Sequence, residues 1–301
     1  MPSETKTPKQ WPHRLWRITR SVLLIYLLVL LVLSLIQTTL IFPGAATQGT
    51  PDANVIAPPG TQLIALKTDD GTAIKALFAT ALQPDRSPFP DPAARPSIIF
   101  FYGNGMCLAH TVDQVEIFRR MGANVIVPEY VGYGLSEGSP SEEGCYQSAT
   151  AAYNFLVKEK GFKPETIIAA GWSLGGAVAI DLAARKQVGG VATFSAFTSL
   201  TDMARNLYPI LPVDLILKHR FESEKKIARI DVPILIGHST SDSMIPYAMS
   251  HRLAAAARGP VTRLDIPGDH NQFFDASDEL LPPAMTALMQ TVQQRALALH
   301  Q

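Results

Sequence analysis

Residues 21–42, SVLLIYLLVLLVLSLIQTTLIF, carry no charged side chain and consist mostly of Leu, Val and Ile. As a helix this run is about 33 Å long, enough to cross a hydrocarbon core of about 30 Å. It lacks the polar face that a helix lying on a globular core would turn to solvent. Before it stand Lys6, Lys9, Arg14, Arg17 and Arg20 against one acid, Glu4. Such a basic flank stays cytoplasmic, which predicts a single-pass protein with the rest of the chain outside the cytoplasm, in a periplasmic, lumenal or extracellular space. A cleaved signal peptide is the alternative, with Gly44-Ala45-Ala46 as the cleavage site, but its apolar region is ordinarily only about 7–15 residues long. The organisation expected is a basic cytoplasmic tail (1–20), a transmembrane signal anchor (21–42), a linker rich in Pro, Gly, Ala and Thr (43–60), and one folded domain (61–301).

Composition excludes several classes. Apolar residues make up 47% of the chain and charged residues 17%, which is too apolar for disorder. Lys plus Arg equals Asp plus Glu at 26 each, so no basic excess points to a nucleic-acid partner. Two cysteines, Cys107 and Cys145, make neither a disulfide framework nor a four-thiolate zinc site; a single pair and two buried free thiols both remain open. The seven histidines have no metal-ligand spacing and no G-x-G-x-x-G follows a strand, so neither a metal nor another cofactor is expected.

From residue 61 on, short apolar runs alternate with helix-like stretches. TQLIALKT and TAIKALFAT flank Asp69-Asp70-Gly71, a hairpin signal. SIIFFY, ANVIVPEY, ETIIAAGW, GVATFSAF, VPILIG and VTRLDIP are apolar throughout, as parallel strands buried on both faces are. The pattern predicts an α/β fold with a mostly parallel central sheet and helices on both faces. An insert at 198–230 reads as a small helical cap. Its Tyr208, Leu211, Leu215, Leu217 and Phe221 either line an acyl pocket or hold the cap on the sheet.

The chemistry is carried by Gly171-Trp172-Ser173-Leu174-Gly175, a G-x-S-x-G between a strand and a helix, the setting of a nucleophile elbow. A serine hydroxyl needs a base, and the base an orienting acid. Along the chain these should follow in the order Ser, acid, His. Asp242 lies after VPILIG and His270 after VTRLDIP, both past strand ends; Asp269 is a rival acid. Leu174 N–H, at the start of the helix, is one candidate oxyanion donor. The second is Asn104 N–H in Tyr102-Gly103-Asn104-Gly105, where two glycines let backbone approach a ligand.

With EYVGYGLSEGSPSEEG, GWSLGGAVAIDLA, HSTSDSMIP and GDHNQFF in this order, the chain resembles the α/β-hydrolase superfamily, and within it the membrane-anchored α/β-hydrolase-domain serine hydrolases, a group that includes serine aminopeptidases and monoacylglycerol lipases. The resemblance implies Ser173 as nucleophile, Asp242 as acid and His270 as base. Two positions depart from the usual pattern. Tyr102-Gly103 replaces His-Gly, which is expected to shift the oxyanion loop, and Glu129-Tyr130-Val131 replaces Asp-Tyr-Arg, which removes a positive charge. The reading is a membrane-tethered hydrolase of a lipid-like or acylated ester or thioester. A serine peptidase and a catalytically silent membrane scaffold are the competing readings.

Overall fold

The computed structural model describes residues 11–299; of the expected tail, residues 1–10 lie outside these. Helix α1 (Trp11–Ile41) takes in the whole of the uncharged run except Phe42, together with Arg14, Arg17 and Arg20 before it. Pro43, which lacks an N–H and disfavours helix in the residue before it, ends α1. Residues 43–60 are not a free tether. They form two 3-10 turns, Pro43–Thr47 and Pro51–Ala53, and Phe42, Gly44 and Ala53 are buried against the domain.

The domain then runs β1 (Thr61–Lys67), β2 (Ala73–Ala79), β3 (Ser97–Phe101), α2 (Val112–Arg120), β4 (Asn124–Pro128), α3 (Glu142–Asn154), β5 (Ile167–Trp172), α4 (Leu174–Arg185) and β6 (Gly190–Phe194). The cap follows as α5 (Leu200–Leu207), α6 (Val213–Ile216) and α7 (Ser223–Ile227), and the chain continues through β7 (Ile234–Ser239), α8 (Ala248–Ala256), β8 (Val261–Ile266), α9 (Phe273–Ala276) and α10 (Leu281–Ala298). The strands form one eight-stranded sheet in the order β1-β2-β4-β3-β5-β6-β7-β8, with helices on both faces. β2 is antiparallel to both its neighbours, and the remaining pairs are parallel. Burial explains the sequence pattern. Every residue of β3, β4, β6 and β7 is buried, whereas the edge strands β1 and β8 keep exposed positions.

Strand order reverses at β3: the chain goes from β3 to β4 on one side, then returns to β5 on the other. That switch point opens a crevice at the carboxyl ends of β3 and β5, where α/β sheets place their sites. Phe101 pairs with Gly171 across it, so the loops leaving β3 and β5 start level with one another. Helix α4 enters this corner so closely that side chains have no room. A Cβ on Gly171 would stand 2.1 Å from the Gly175 carbonyl oxygen, and one on Gly175 would stand 2.0 Å from that of Phe101.

Both obstacles are backbone atoms, which cannot rotate away. Gly175→Ala is therefore expected to lower stability by at least about 1–3 kcal/mol, the usual range for overpacking. Thermal denaturation of the variant checks this, and a melting temperature equal to the parent's would show that α4 has slack against β3.

Candidate active site

Ser173 occupies the turn between β5 and α4 at φ 56°, ψ −121°, a left-handed conformation that side chains rarely adopt. Its N–H donates to the Phe194 carbonyl at 2.8 Å, which ties the turn to β6 and holds the strained residue in place. His270 begins a 3-10 turn after β8, and Asp242 sits in the loop after β7. The structure brings the three together. Ser173 Oγ lies 3.1 Å from His270 Nε2, and His270 Nδ1 lies 2.7 Å from Asp242 Oδ2. Because a carboxylate only accepts, Nδ1 carries the proton, and Nε2 is left to accept from the serine hydroxyl.

The Asp242 side chain is fully buried. Burial pushes its carboxyl up, but hydrogen bonds from His238, His270 and the Ile245 N–H outweigh this and hold it well below the ordinary carboxylate range. It is thus an anion whenever His270 needs a counter-charge. Asp269, the rival acid, is used otherwise. Its Oδ1 accepts from the N–H groups of His270 and Ser243, and its Oδ2 from the Ser243 hydroxyl, so it shapes the loop rather than the ring.

The loop after β3 lies beside the serine. A Cβ on Gly103 would come within 3.5 Å of the Ser173 Cβ and within 2.8 Å of the Trp172 ring, so only glycine fits. Gly105 has open space around it, and close approach does not require glycine there. Among the described residues, neither Leu174 N–H nor Asn104 N–H donates to another protein group. Asn104 is held from three directions: its carbonyl accepts from Gly44 N–H (2.9 Å) and the Tyr133 hydroxyl (3.0 Å), and its side-chain amide donates to the Ile41 carbonyl (2.9 Å).

Tyr102, where histidine was expected by resemblance, is wholly buried and donates its hydroxyl to Glu129. Glu129 also accepts from the N–H groups of Leu108 and Leu135, and burial pushes its carboxyl up despite these donors. The two departures therefore meet in one buried contact.

Two further residues complete the site: Trp172, which the sequence reading passed over, and His238, which at a strand end reads as a packing or hydrogen-bonding residue. Trp172 stacks on the His270 imidazole, with centroids 5.1 Å apart and planes 29° from parallel. His238 sits behind Asp242, its Nε2 3.4 Å from Oδ2 and 3.0 Å from the Ile245 carbonyl; both neighbours accept, so Nε2 is protonated. The i, i+4 spacing of His238 and Asp242 was the available signal, but only the loop's curvature makes it meaningful. Cys107 and Cys145 are both buried free thiols. Among the described residues no group of three His, Cys, Asp or Glu side chains could hold a metal ion.

In the cap, Phe221 is buried against Phe42, Tyr146 and Phe197 and fastens it to the domain. Tyr208 and Leu215 are exposed at 55% and 85%, which removes them from any enclosed pocket.

Comparison with known proteins agrees with this architecture. A model of the dienelactone hydrolase family matches residues 131–272, which hold Ser173, Asp242 and His270. An uncharacterized protein of Mycobacterium tuberculosis is 30% identical over 231 residues, covering 76% of this chain and 78% of its own. The α/β-hydrolase domain-containing protein WAV2 of Arabidopsis thaliana is 31% identical over 213 residues, covering 65% of this chain and 67% of its own. Among solved structures, an esterase of Pyrococcus furiosus superposes with a TM-score of 0.61 at 15% identity, over 76% of this chain and 91% of its own, a likeness of fold. The chain belongs to the α/β-hydrolase superfamily.

Proposed function

We propose that this protein is a membrane-anchored serine hydrolase that cleaves an ester or thioester through an acyl-enzyme. The observation that carries the reading is the hydrogen-bonded series Ser173–His270–Asp242 on a strained elbow. Ser173 Oγ attacks the substrate carbonyl as His270 Nε2 takes its proton, and Asp242 steadies the imidazolium. The oxyanion is received by the N–H groups of Leu174 and Asn104. Collapse of the tetrahedral species breaks the bond to the alcohol or thiol, which leaves with the proton from His270. Water, deprotonated by the same imidazole, then attacks the acyl-enzyme and frees the acid and Ser173. The esterase among the structural relatives supports ester over amide chemistry.

The anchor is supported by α1 itself. The most apolar 18-residue window of its span Arg14–Ile41 has a mean hydropathy of 2.5, and only 6% of that window is buried, which does not suit a core helix. Retention rather than cleavage is supported by what cleavage after Ala46 would remove: buried Phe42, buried Gly44, and the Ile41 carbonyl that accepts from Asn104. An enzyme held at a bilayer in this way meets lipid-like or lipid-attached acyl substrates first.

A fluorophosphonate probe is expected to label the parent protein and not Ser173→Ala; labelling that survives in Ser173→Ala would sink the nucleophile assignment. Asp242→Asn should lower kcat on p-nitrophenyl esters by about 10⁴-fold, because an amide no longer fixes the required tautomer. The same variant tests pH linkage. A carboxyl held below its unfolded value stabilises the fold fully above the ordinary carboxylate range of about 3.9, and that contribution is lost as pH falls. Denaturant midpoints of Asp242→Asn should therefore fall less steeply than the parent's in acid; parallel curves would show that Asp242 is not the depressed group.

A further inference from the structure

The cap and α1 are joined along the C-terminal half of the helix, from Tyr26 onward. Exposure along α1 is not uniform. Tyr26, Leu30, Leu33, Gln37 and Ile41 are less exposed than their neighbours and recur every three or four residues, so one face is covered. The partners are in the cap. The Tyr26 hydroxyl donates to the Ile210 carbonyl at 3.0 Å. The Gln37 side chain donates to the Ile216 carbonyl at 3.0 Å and accepts from Lys218 N–H at 2.7 Å. Thr38 Oγ1 lies 3.2 Å from His219 Nε2. The cap segment 210–219 thus runs alongside α1 from Thr38 to Tyr26, about 18 Å at 1.5 Å per residue.

A hydrocarbon core of about 30 Å needs about 20 residues of helix. Wherever a window of that length is placed within Trp11–Ile41, it contains Tyr26. If α1 crosses a bilayer, Ile210 is therefore brought into the core to within the reach of one tyrosine side chain. We infer that the segment 207–217 is a finger that enters the bilayer beside α1 and is solvated by lipid acyl chains. This rests on the reading of α1 as a membrane anchor.

The finger has the properties that lipid demands. Leu207, Tyr208, Ile210 and Leu215 are 55–85% exposed, an apolar surface continuous with that of α1. Hydrocarbon also requires that backbone N–H groups be satisfied within the protein. Pro209 and Pro212 have none, and the N–H groups of Tyr208, Leu211, Val213, Leu215 and Leu217 donate to carbonyls within residues 204–213; among the described residues the Ile210 N–H has no protein acceptor. The polar side chain of Gln37, an oddity in an apolar run, is met by the backbone of residues 216 and 218, and so is not left bare in lipid. The acid of the finger, Asp214, is neutralised by Arg205 in a two-pronged pair at 2.6 and 3.2 Å.

The test uses the full chain in phosphatidylcholine vesicles containing nitroxide-labelled acyl chains. Cysteine is introduced as Ile210→Cys or Leu215→Cys and labelled with bimane; native Cys107 and Cys145 are buried and stay unlabelled. Leu27→Cys reports on α1. Lys158→Cys lies on the turn that prolongs α3 away from its cap-facing end, where Glu142 accepts from Arg220 and Phe221 N–H, and serves as the aqueous control. The expected result is several-fold stronger lipid quenching at 210 and 215 than at 158, comparable with that at 27. Quenching at 27 but not at 210 and 215 would overturn the finger and leave the anchor standing, as would a finger covered by a second protein. Absence of quenching at 27 would overturn the anchor, and the finger with it.

Discussion

A serine held at a positive φ between a strand and a helix is the constraint on which the rest of this molecule depends. Such a turn forces α4 back across β3, and the approach is so close that Gly171 and Gly175 face backbone oxygens about 2 Å from any added Cβ. Neither glycine is needed for its backbone angle; both are needed for space. In return, the start of α4 faces the loop after β3, and among the described residues the N–H groups of Leu174 and Asn104 have no protein partners. Strain, close packing and unsatisfied donors are three aspects of one corner, located where the strand order reverses.

Much of this could be read from residue order. Runs such as SIIFFY and VPILIG are apolar at every position because their strands are buried on both faces, and each became a strand. The spacing of Ser173, Asp242 and His270 relative to successive strand ends sufficed to name the residues that now lie within hydrogen-bonding distance. What could not be read was contact between segments far apart in the chain. Trp172 looked like the variable position of a motif, and its stacking on His270 arises only when β8 brings the imidazole over β5. Residues 43–60 have the composition of a linker, yet Gly44 is wedged against Met106, Asn104 and Tyr133. The amide of Gln37, a polar side chain within an apolar run, is met by residues 216 and 218, about 180 positions along the chain.

The two departures from the family pattern illustrate the same point. Read separately, Tyr102 in place of histidine and Glu129 in place of aspartate are unrelated oddities. In the fold, the Tyr102 hydroxyl reaches Glu129, whose two oxygens also accept the N–H groups of Leu108 and Leu135. Gly134 is confined by this arrangement, since a Cβ there would lie 2.0 Å from Glu129 Oε2. A buried carboxyl with several donors is tolerable where one without them would be costly. A change at 102 that removed the hydroxyl would leave a buried acceptor short of a partner, so each residue makes the other acceptable.

Asn104 extends this reasoning from the corner to the helix. Its carbonyl and its side-chain amide are both committed to residues 41 and 44, at the exit of α1. The end of α1 and the proposed oxyanion donor are thus consecutive links in one hydrogen-bonded chain, with Tyr133 as a brace. A helix whose only task was to tether could be joined by any flexible segment. Here Phe42 is 1% exposed, and the residues after it pack on the very loop that the proposed chemistry requires to be fixed. Preorganised donors do their work by not moving during the reaction. The rigidity of this loop is therefore built partly from the exit of α1, which ties the helix to the corner that the proposed mechanism uses.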